Sequence, residues 1–252
     1  MQSKKIILLA SNCQSSRWVY HALKNLLPIS HVIIEQPVSK IQLFKRRIKK
    51  NGLWLVTGQA MFTILVTPLL RWKAKNQKDT LIKKYQLVDI PFNEDECNFV
   101  TSVNDEHCRQ LLKQYKPDIV IVNGTRIISN ATLQSVDAAF INIHAGITPQ
   151  YRGAHGGYWA LYNNDNRNFG TTIHLIDAGI DTGAVLKHVF AQPGNDDNFT
   201  TYPIIQVAEG IKSLPQVIID FIDGRVPVSN NVEKGKMYYQ PTIWQYLTNK
   251  TR

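Results

Sequence analysis

The sequence predicts an α/β fold, a doubly wound and mostly parallel sheet of the Rossmann-like kind, with a helical insertion and a short β-rich C-terminal tail. Short apolar runs of strand length alternate with longer stretches of helix length along most of the chain. Residues 118–122 form a β-branched run, which is typical of a strand buried on both faces of a parallel sheet. At 252 residues the chain fits one large domain with a sizeable core. We assign that domain to residues 1–226 and a short extension to 227–252.

The N-terminal elements are predicted from apolar runs and capping residues. We expect a strand at 5–10, a helix over about 15–26 that Ser15 or Ser16 caps, and a second strand at 31–35. Residues 39–84 are helical in composition and long for a loop. They are therefore predicted to form an insertion of two or three helices.

The remaining elements follow the same alternation. Asn104 is the expected cap of a helix that runs through Tyr115, and His144 is expected at the carboxyl end of its strand. Open α/β sheets bind their ligands at that end of the strands. The expected strands are 87–91, 118–122, 139–143, 171–176 and 184–190; the expected helices are 158–162 and 202–222, the latter containing Pro215; and a hairpin-like turn is expected at 234–236.

The positive charge is concentrated in the insertion. The formal net charge is +10, yet residues 40–84 hold twelve basic residues and a single acid, Asp79. Because the rest of the chain is close to neutral, the charge does not by itself indicate a nucleic-acid partner, and we expect none. Cys13, Cys97 and Cys108 are widely spaced and lack metal-ligand spacing, which indicates a reducing, cytoplasmic setting.

Three polar residues carry the chemistry that the sequence suggests. Asn142 and His144 close an apolar run, and Asp181 follows in an Ile-Asp-Thr-Gly segment. An amide N–H can stabilise the oxyanion of a tetrahedral intermediate, while an imidazole and a carboxylate can move the proton that an attacking amine loses. Each residue alone is more often turn chemistry or a satisfied polar group. Together they indicate an acyl-transfer enzyme.

The spacing of several motifs resembles the formyltransferases that use 10-formyltetrahydrofolate as donor. The resemblance covers residues 85–190 and, weakly, the first strand; its motifs are Asn142-Ile143-His144, Pro149-Gln150-Tyr151-Arg152-Gly153, Gly170-Thr171-Thr172-Ile173-His174 and Asp177-Ala178-Gly179-Ile180-Asp181-Thr182-Gly183. It implies that Asn142, His144 and Asp181 form the catalytic triad and that no metal is needed. His174 is expected to support the site from behind.

The same resemblance implies a donor site. The loop after the strand at 118–122 would wrap the pteridine ring, partly through backbone groups, and the turn at 177–180 would close the other side. The cofactor-binding residues implied in this way are Thr125, Arg126, Ile127, Ile128, Asp177, Gly179 and Ile180. An ordinary βα loop is the alternative for the first segment.

Departures from the family pattern narrow the choice of the amine that accepts the formyl group. Family members formylate glycinamide ribonucleotide, the methionine of initiator tRNA, or amino groups of nucleotide-linked sugars. Residues 11–16 lack the glycines of the ribonucleotide enzymes' phosphate loop, and too few residues follow the core for the additional domain of the tRNA enzymes. We therefore expect a nucleotide-linked amino-deoxysugar, used for surface polysaccharide such as lipopolysaccharide. A binding protein without catalysis and a hydrolase that releases formate are the alternatives from other classes.

Acceptor contacts are assigned to two residues. Arg152 and Tyr151, close to the catalytic strand end, are the candidate substrate-binding residues. Arg152 would bind a diphosphate or pair with a structural carboxylate. The aromatic residues within 237–239 would pack against a second copy of the chain in a homodimer, stack on the nucleotide base, or pack the tail against its own domain.

The insertion also suggests a membrane partner. Residues 53–70 carry no charge, and basic clusters flank them on both sides. This composition is typical of a segment that lies on an anionic membrane at the inner face. Pro68, Gln59 and Gly58 interrupt the stretch, so we do not expect it to span. A helix packed on the sheet, with its basic residues outward, is the alternative.

Overall fold

The computed structural model describes residues 4–226 and 235–248, and nine strands lie within these ranges. They are β1 Ile6–Ser11, β2 Ile29–Glu35, β3 Cys97–Val100, β4 Ile119–Asn123, β5 Ala139–His144, β6 Arg152–Gly153, β7 Gly170–Leu175, β8 Val185–Phe190 and β9 Met237–Tyr238. Seven of them form one sheet in the order β3-β2-β1-β4-β5-β7-β8. The pairs from β3 to β5 are parallel, while β7 and β8 are antiparallel to their neighbours. The predicted α/β class and mostly parallel sheet are confirmed.

Helices cover both faces of this sheet. They are α1 Gln14–Leu23, α2 Lys40–Asn51, α3 Leu53–Met61, α4 Thr67–Lys73, α5 Lys75–Lys84, α6 Glu106–Tyr115, α7 Asn130–Leu133, α8 Gly156–Tyr162, α9 Tyr202–Ile222 and α10 Ile243–Leu247. Successive side chains of β1 point to opposite faces: Ile6 and Leu8 pack with α1 and α9, whereas Ile7 and Leu9 pack with α6. Both faces of β1 are therefore buried, which explains its unbroken apolar sequence.

The direction in which strands are added reverses beside β1, and this reversal determines where a ligand crevice forms. The chain first builds β1 to β3 outward in one direction and then returns to add β4 and β5 on the other side of β1. Connections diverge at such a point and leave a crevice at the carboxyl ends of the strands. Asn123 and His144, the last residues of β4 and β5, both lie at that edge.

Several local predictions were wrong. Residues 87–91 form no strand, and β3 and the two-residue β6 were not predicted. The half-buried edge position of β3 allows a polar sequence. The cap of α6 is Asp105 rather than Asn104, since the Asp105 carboxylate accepts from the Cys108 amide. Helix α1 begins after Cys13, so neither Ser15 nor Ser16 is its cap.

The insertion is helical as predicted: α2, α3, α4 and α5 all fall within it, and α3 and α4 belong to one continuous helix, Leu53–Lys73, so it holds three helices. A π-helical turn, Phe62–Val66, joins α3 to α4 and places Pro68 in the first turn of α4. Wide turns of this kind accommodate a proline that cannot donate a hydrogen bond, so the helix continues through it. In the described residues, Leu53–Lys73 is the one helix long and apolar enough to cross a membrane by length and composition, and 33% of its most apolar stretch is buried.

The tail differs from the predicted hairpin. Strand β9 pairs in parallel with β6, Arg152 opposite Met237 and Gly153 opposite Tyr238. Helix α10 then begins with a capping box between Thr242 and Gln245. Residues 227–234 and 249–252 of the predicted extension, including Lys234 of the expected turn, lie outside the described residues. The division at residue 226 stays a prediction.

Candidate active site

A cleft of about 390 Å³ opens at the carboxyl ends of β4 and β5. It gathers every residue that the sequence assigned to catalysis or to the donor: Asn142, His144, Asp181, Thr125, Arg126, Ile127, Ile128, Asp177, Gly179 and Ile180. They come from one parallel strand end and two loops, which the sheet brings to one edge. His174 and Gly153 also line the cleft.

His144 is fixed by two partners. Its Nε2 atom lies 3.0 Å from the carbonyl oxygen of Tyr151, and a carbonyl only accepts, so Nε2 carries a hydrogen. Its Nδ1 atom faces Asp181, with 3.4 Å between Nδ1 and Oδ1. In the neutral ring Nδ1 therefore carries the free lone pair. A proton taken up by Nδ1 lies next to the Asp181 carboxylate.

Asp181 occupies a left-handed backbone conformation, with φ 51°. This region is uncommon for residues other than glycine and is tolerated best by Asp and Asn. One carboxylate oxygen, Oδ2, accepts from the amide of Gly153 at 2.9 Å. The other, Oδ1, is turned to His144 and also lies 3.7 Å from Nε2 of His174. The loop thus presents one oxygen to the cleft and anchors the other.

Asn142 is oriented by the buried His174. Nδ2 of Asn142 lies 3.2 Å from Nε2 of His174, whose Nδ1 lies 2.8 Å from the carbonyl oxygen of Leu175. Since that carbonyl requires a hydrogen on Nδ1, Nε2 of the neutral ring accepts from Asn142. Burial, more than any other cause, lowers the pKa of His174 and favours this neutral form. The Asn142 amide carries a second hydrogen, which is available to a group bound in the cleft.

Together these groups can perform acyl chemistry. Asn142 supplies a donor for a developing oxyanion, and the His144–Asp181 pair can accept and pass on a proton. All three side chains are held by contacts within the protein: His174 for Asn142, the Tyr151 carbonyl for His144 and the Gly153 amide for Asp181. The arrangement is therefore preorganised before any ligand binds.

Glu35 holds the first donor loop and was missed from the sequence. This acid, 2% exposed, ends β2 and accepts from the backbone amides of Val103 and Arg126. The Nε atom of Arg126 lies 3.0 Å from Glu35 as an ion pair without hydrogen-bond alignment, and its Nη2 donates to the carbonyls of Gln36 and Thr101. The guanidinium of Arg126 is thus engaged in fixing the loop. An acid that closes an otherwise apolar strand was the available signal.

Gly146 was also missed, and its role is steric. A Cβ atom there would lie 2.4 Å from the carbonyl oxygen of Tyr151 and 2.8 Å from Nε2 of His144. No side chain fits beside this hydrogen bond without displacing the imidazole or the backbone. The conformation of the loop after β5 thus depends on a glycine that the catalytic motif does not include.

The two residues assigned to the acceptor are buried. Arg152 donates through Nε to the carbonyl of Ile180 at 3.0 Å and through Nη1 to the carbonyl of Gly235 at 3.3 Å. Its guanidinium therefore connects the Asp181 loop to the tail. The hydroxyl of Tyr151 donates to Asp165, and burial raises its pKa to about 12. The acceptor role of either residue stays a prediction.

Comparisons with known proteins give consistent matches. A protein-family model described as "Formyl transferase" matches residues 71–218, more than half of the chain. A methionyl-tRNA formyltransferase from Thermodesulfovibrio yellowstonii is 31% identical over 192 residues, 74% of this chain and 59% of that protein. A phosphoribosylglycinamide formyltransferase from Escherichia coli is 33% identical over 125 residues, 48% of this chain and 57% of that protein. The chain thus spans less than two thirds of the length of either relative.

Solved structures share the fold. A sugar N-formyltransferase from a Shewanella species superposes with a TM-score of 0.55 at 17% identity, covering 93% of this chain and 76% of that one. At this identity the likeness concerns the fold alone. The family match rests instead on the sequence, and it includes all three residues that converge in the cleft. The chain belongs to the formyl transferase family.

Proposed function

We propose that this protein transfers a formyl group from 10-formyltetrahydrofolate to the primary amine of a nucleotide-linked amino-deoxysugar. The observation that carries the proposal is the convergence of Asn142, His144 and Asp181 on one cleft between the two predicted donor loops. Bound 10-formyltetrahydrofolate would supply an activated formyl carbon. The three free thiols suit the reducing cytoplasm, where we place the reaction.

The cleft suits a flat, partly apolar donor. Ile127 is 59% exposed although it lines the cleft, so a bound ring would cover an apolar side chain that otherwise faces water. Ile128, Ile176 and Val122 add further apolar lining, and the loop backbones supply polar groups at the rim. Pockets of about 300 to 1,000 Å³ with this mixture are typical of sites for small organic ligands.

The residues then have separate tasks during transfer. As the amine nitrogen bonds to the formyl carbon, the formyl oxygen gains negative charge, and Asn142 stabilises it with its free N–H. Asp181 receives the proton that the amine sheds, directly or through water, and His144 shares that proton across the 3.4 Å contact. The carbon–nitrogen bond to the donor breaks, and the nitrogen that leaves takes up a proton.

A second cleft, of about 570 Å³, supports an anionic acceptor. It lies between α1, α9 and the insertion, and Arg71, Lys75 and Lys78 line it together with Gln14 and Ser15 at the start of α1. Three cations beside a helix N-terminus favour a phosphate-bearing ligand.

The end of β4 lies next to both clefts. The Asn123 side chain donates to Ser15, which lines the second cleft, while the neighbouring Val122 and Gly124 line the first. An acceptor anchored by its diphosphate is thereby close to the carboxyl ends of β4 and β5. The fold shared with a sugar N-formyltransferase over 93% of this chain is a further support.

A panel of acceptors tests the proposal. The protein is incubated with 10-formyltetrahydrofolate and, in separate reactions, with nucleotide-linked 3- and 4-amino sugars, glycinamide ribonucleotide, methionyl-tRNA or buffer. We expect acceptor-dependent release of tetrahydrofolate and a formylated sugar by mass spectrometry. Transfer only to the ribonucleotide or to the tRNA would overturn the acceptor, and formate release in buffer alone would indicate a hydrolase.

The cationic cleft gives a sharper prediction. Lys75→Ala/Lys78→Ala should raise the KM for the nucleotide sugar roughly tenfold or more, because charge-assisted contacts to phosphate are lost, while the KM for the donor stays unchanged. Lys83→Ala/Lys84→Ala is the matched control, since these lysines lie on the same helix but do not line the cleft. If both double variants had the same KM for the nucleotide sugar, the phosphate of the acceptor would not bind in this cleft.

A further inference from the structure

An apolar stripe lies exposed along the helix formed by residues 53–73. Its large side chains are between 40% and 76% exposed. Apart from the adjacent pairs Leu53–Trp54 and Ile64–Leu65, successive members are separated by three, four or seven residues, which places them on one broad side of a helix. These stripe residues are Leu53, Trp54, Met61, Ile64, Leu65, Leu69 and Trp72. Exposed apolar surface of this extent on a soluble domain marks a binding face.

The opposite side of the same helix is fixed to the catalytic domain. Phe62 is fully buried, with its ring 4.8 Å from that of Phe199 and 5.2 Å from that of Tyr246. Gln59 donates to the carbonyl of Gln240, and Asn198 donates to the carbonyl of Leu70. The helix thus lies along the domain, and spanning a bilayer would break these contacts.

Helix α2 widens this apolar surface. Ile41 and Phe44 are exposed on it, and a groove of about 410 Å³ runs between α2 and the following helix. Its lining is half apolar (Phe44, Val56, Ala60 and Ile64) and half polar (Arg47, Gln59, Thr63 and Gln240). Ile64 belongs to both the groove and the stripe, so the two adjoin.

Basic residues flank the stripe at both ends. Exposed Arg47, Lys49 and Lys50 precede it, and exposed Arg71, Lys73 and Lys75 follow it. In the sequence, residues 40–84 hold twelve basic residues against Asp79. A second copy of the chain would bring an equal positive charge to this face, so charge disfavours self-association through it. An anionic surface complements the charge and the apolar stripe together.

We propose that this insertion docks the enzyme on a bilayer with anionic headgroups, lying in the interface without crossing it. The stripe enters the boundary between headgroups and acyl chains, and the flanking lysines and arginines contact lipid phosphates. Trp54 and Trp72 suit this depth, since indole rings prefer the membrane–water interface. The inference is independent of which amine the enzyme formylates.

Vesicle sedimentation with the full chain tests this inference. We expect binding to phosphatidylglycerol/phosphatidylcholine vesicles, at least tenfold weaker binding to phosphatidylcholine alone, and loss of binding in high salt. Ile64→Ser/Leu69→Ser/Trp72→Ser should lower partitioning at least tenfold. Leu26→Ser/Ile90→Ser/Phe190→Ser is the matched control, because it removes equally exposed apolar side chains outside the insertion, and its binding should equal that of the wild type.

Two further measurements separate the outcomes. Brominated lipid should quench tryptophan fluorescence in the wild type and less so in Trp72→Phe, a variant that keeps an apolar ring. Circular dichroism and turnover on a soluble acceptor should match the wild type for both triple variants, which distinguishes lost docking from lost folding or catalysis. The inference fails if anionic vesicles do not bind the wild type, if the stripe variant binds equally, if the stripe instead mediates dimerisation in solution, or if the wild type resists alkaline extraction as a spanning protein does.

Discussion

Asp181→Asn is expected to lower kcat by about 10²- to 10⁴-fold, the range associated with loss of a positioned acid–base group. Asparagine tolerates the left-handed backbone at φ 51°, and its side-chain oxygen can still accept from the Gly153 amide. The variant therefore keeps the loop while it removes the charge that receives the proton and faces His144. Steady-state kinetics at saturating donor and acceptor measure the effect.

The same loop provides a control for Asp181. Asp177 stabilises the turn by accepting from the Gly179 amide and from the Thr182 hydroxyl, and it does not contact His144. Asp177→Asn should act mainly on the KM for the donor, with kcat within a few-fold of the wild type. If Asp181→Asn turned over at a rate close to the wild type, the carboxylate would have no part in proton transfer.

Asn142→Ala is expected to reduce kcat by about 10²- to 10³-fold, or roughly 2.7 to 4 kcal/mol of transition-state stabilisation, because the oxyanion loses its N–H donor. Donor affinity should change little, since the cleft is otherwise formed by the two loops. Stopped-flow measurement of a single turnover separates this chemical step from product release.

A second substitution at the same position excludes a volume effect. Asn142→Asp is almost the same size but has no N–H to offer, so it should lose activity to a similar degree. Circular dichroism checks that either variant keeps its fold. Recovery of most turnover in Asn142→Asp would show that the amide donor is dispensable and would assign the loss in Asn142→Ala to packing.

The sequence predicted best where burial on both faces left only apolar residues. Strands β1 and β4 consist of apolar residues up to their last position because helices cover both sides of the sheet. Edge strand β3 was missed because one side faces solvent and tolerates Cys97 and Asn98. The prediction began helix α8 at residue 158, two residues too late, because Gly156 and Gly157 have low helix propensity. Glycine is needed at both positions for steric reasons. A Cβ on residue 156 would lie 2.6 Å from the Cα of Gly146, and a Cβ on residue 157 would lie 2.6 Å from the side chain of Gln206.

The sequence predicted the reacting groups of the site better than it predicted the residues that position those groups. Asn142, His144 and Asp181 stand in motifs with fixed spacing, so their convergence was expected. Glu35 acts through contacts with Val103 and Arg126, which are distant in sequence, and its only local signal was its place at the end of an apolar strand. Gly146 acts within the loop after β5, where its steric role beside His144 and Tyr151 depends on the folded backbone. Arg152 was assigned to a ligand because a conspicuous cation near a strand end suggests one; two of its donors bond to backbone carbonyls, and its acceptor role stays a prediction.

The short pairing of β6 with β9 links the last described part of the chain to the reacting carboxylate. Gly153 belongs to this pair, and its amide holds Asp181, while a Cβ on Gly153 would lie 2.3 Å from the carbonyl oxygen of Tyr238. Substitutions in β9 are therefore expected to change turnover through the position of the Asp181 carboxylate, although β9 itself supplies no reacting group.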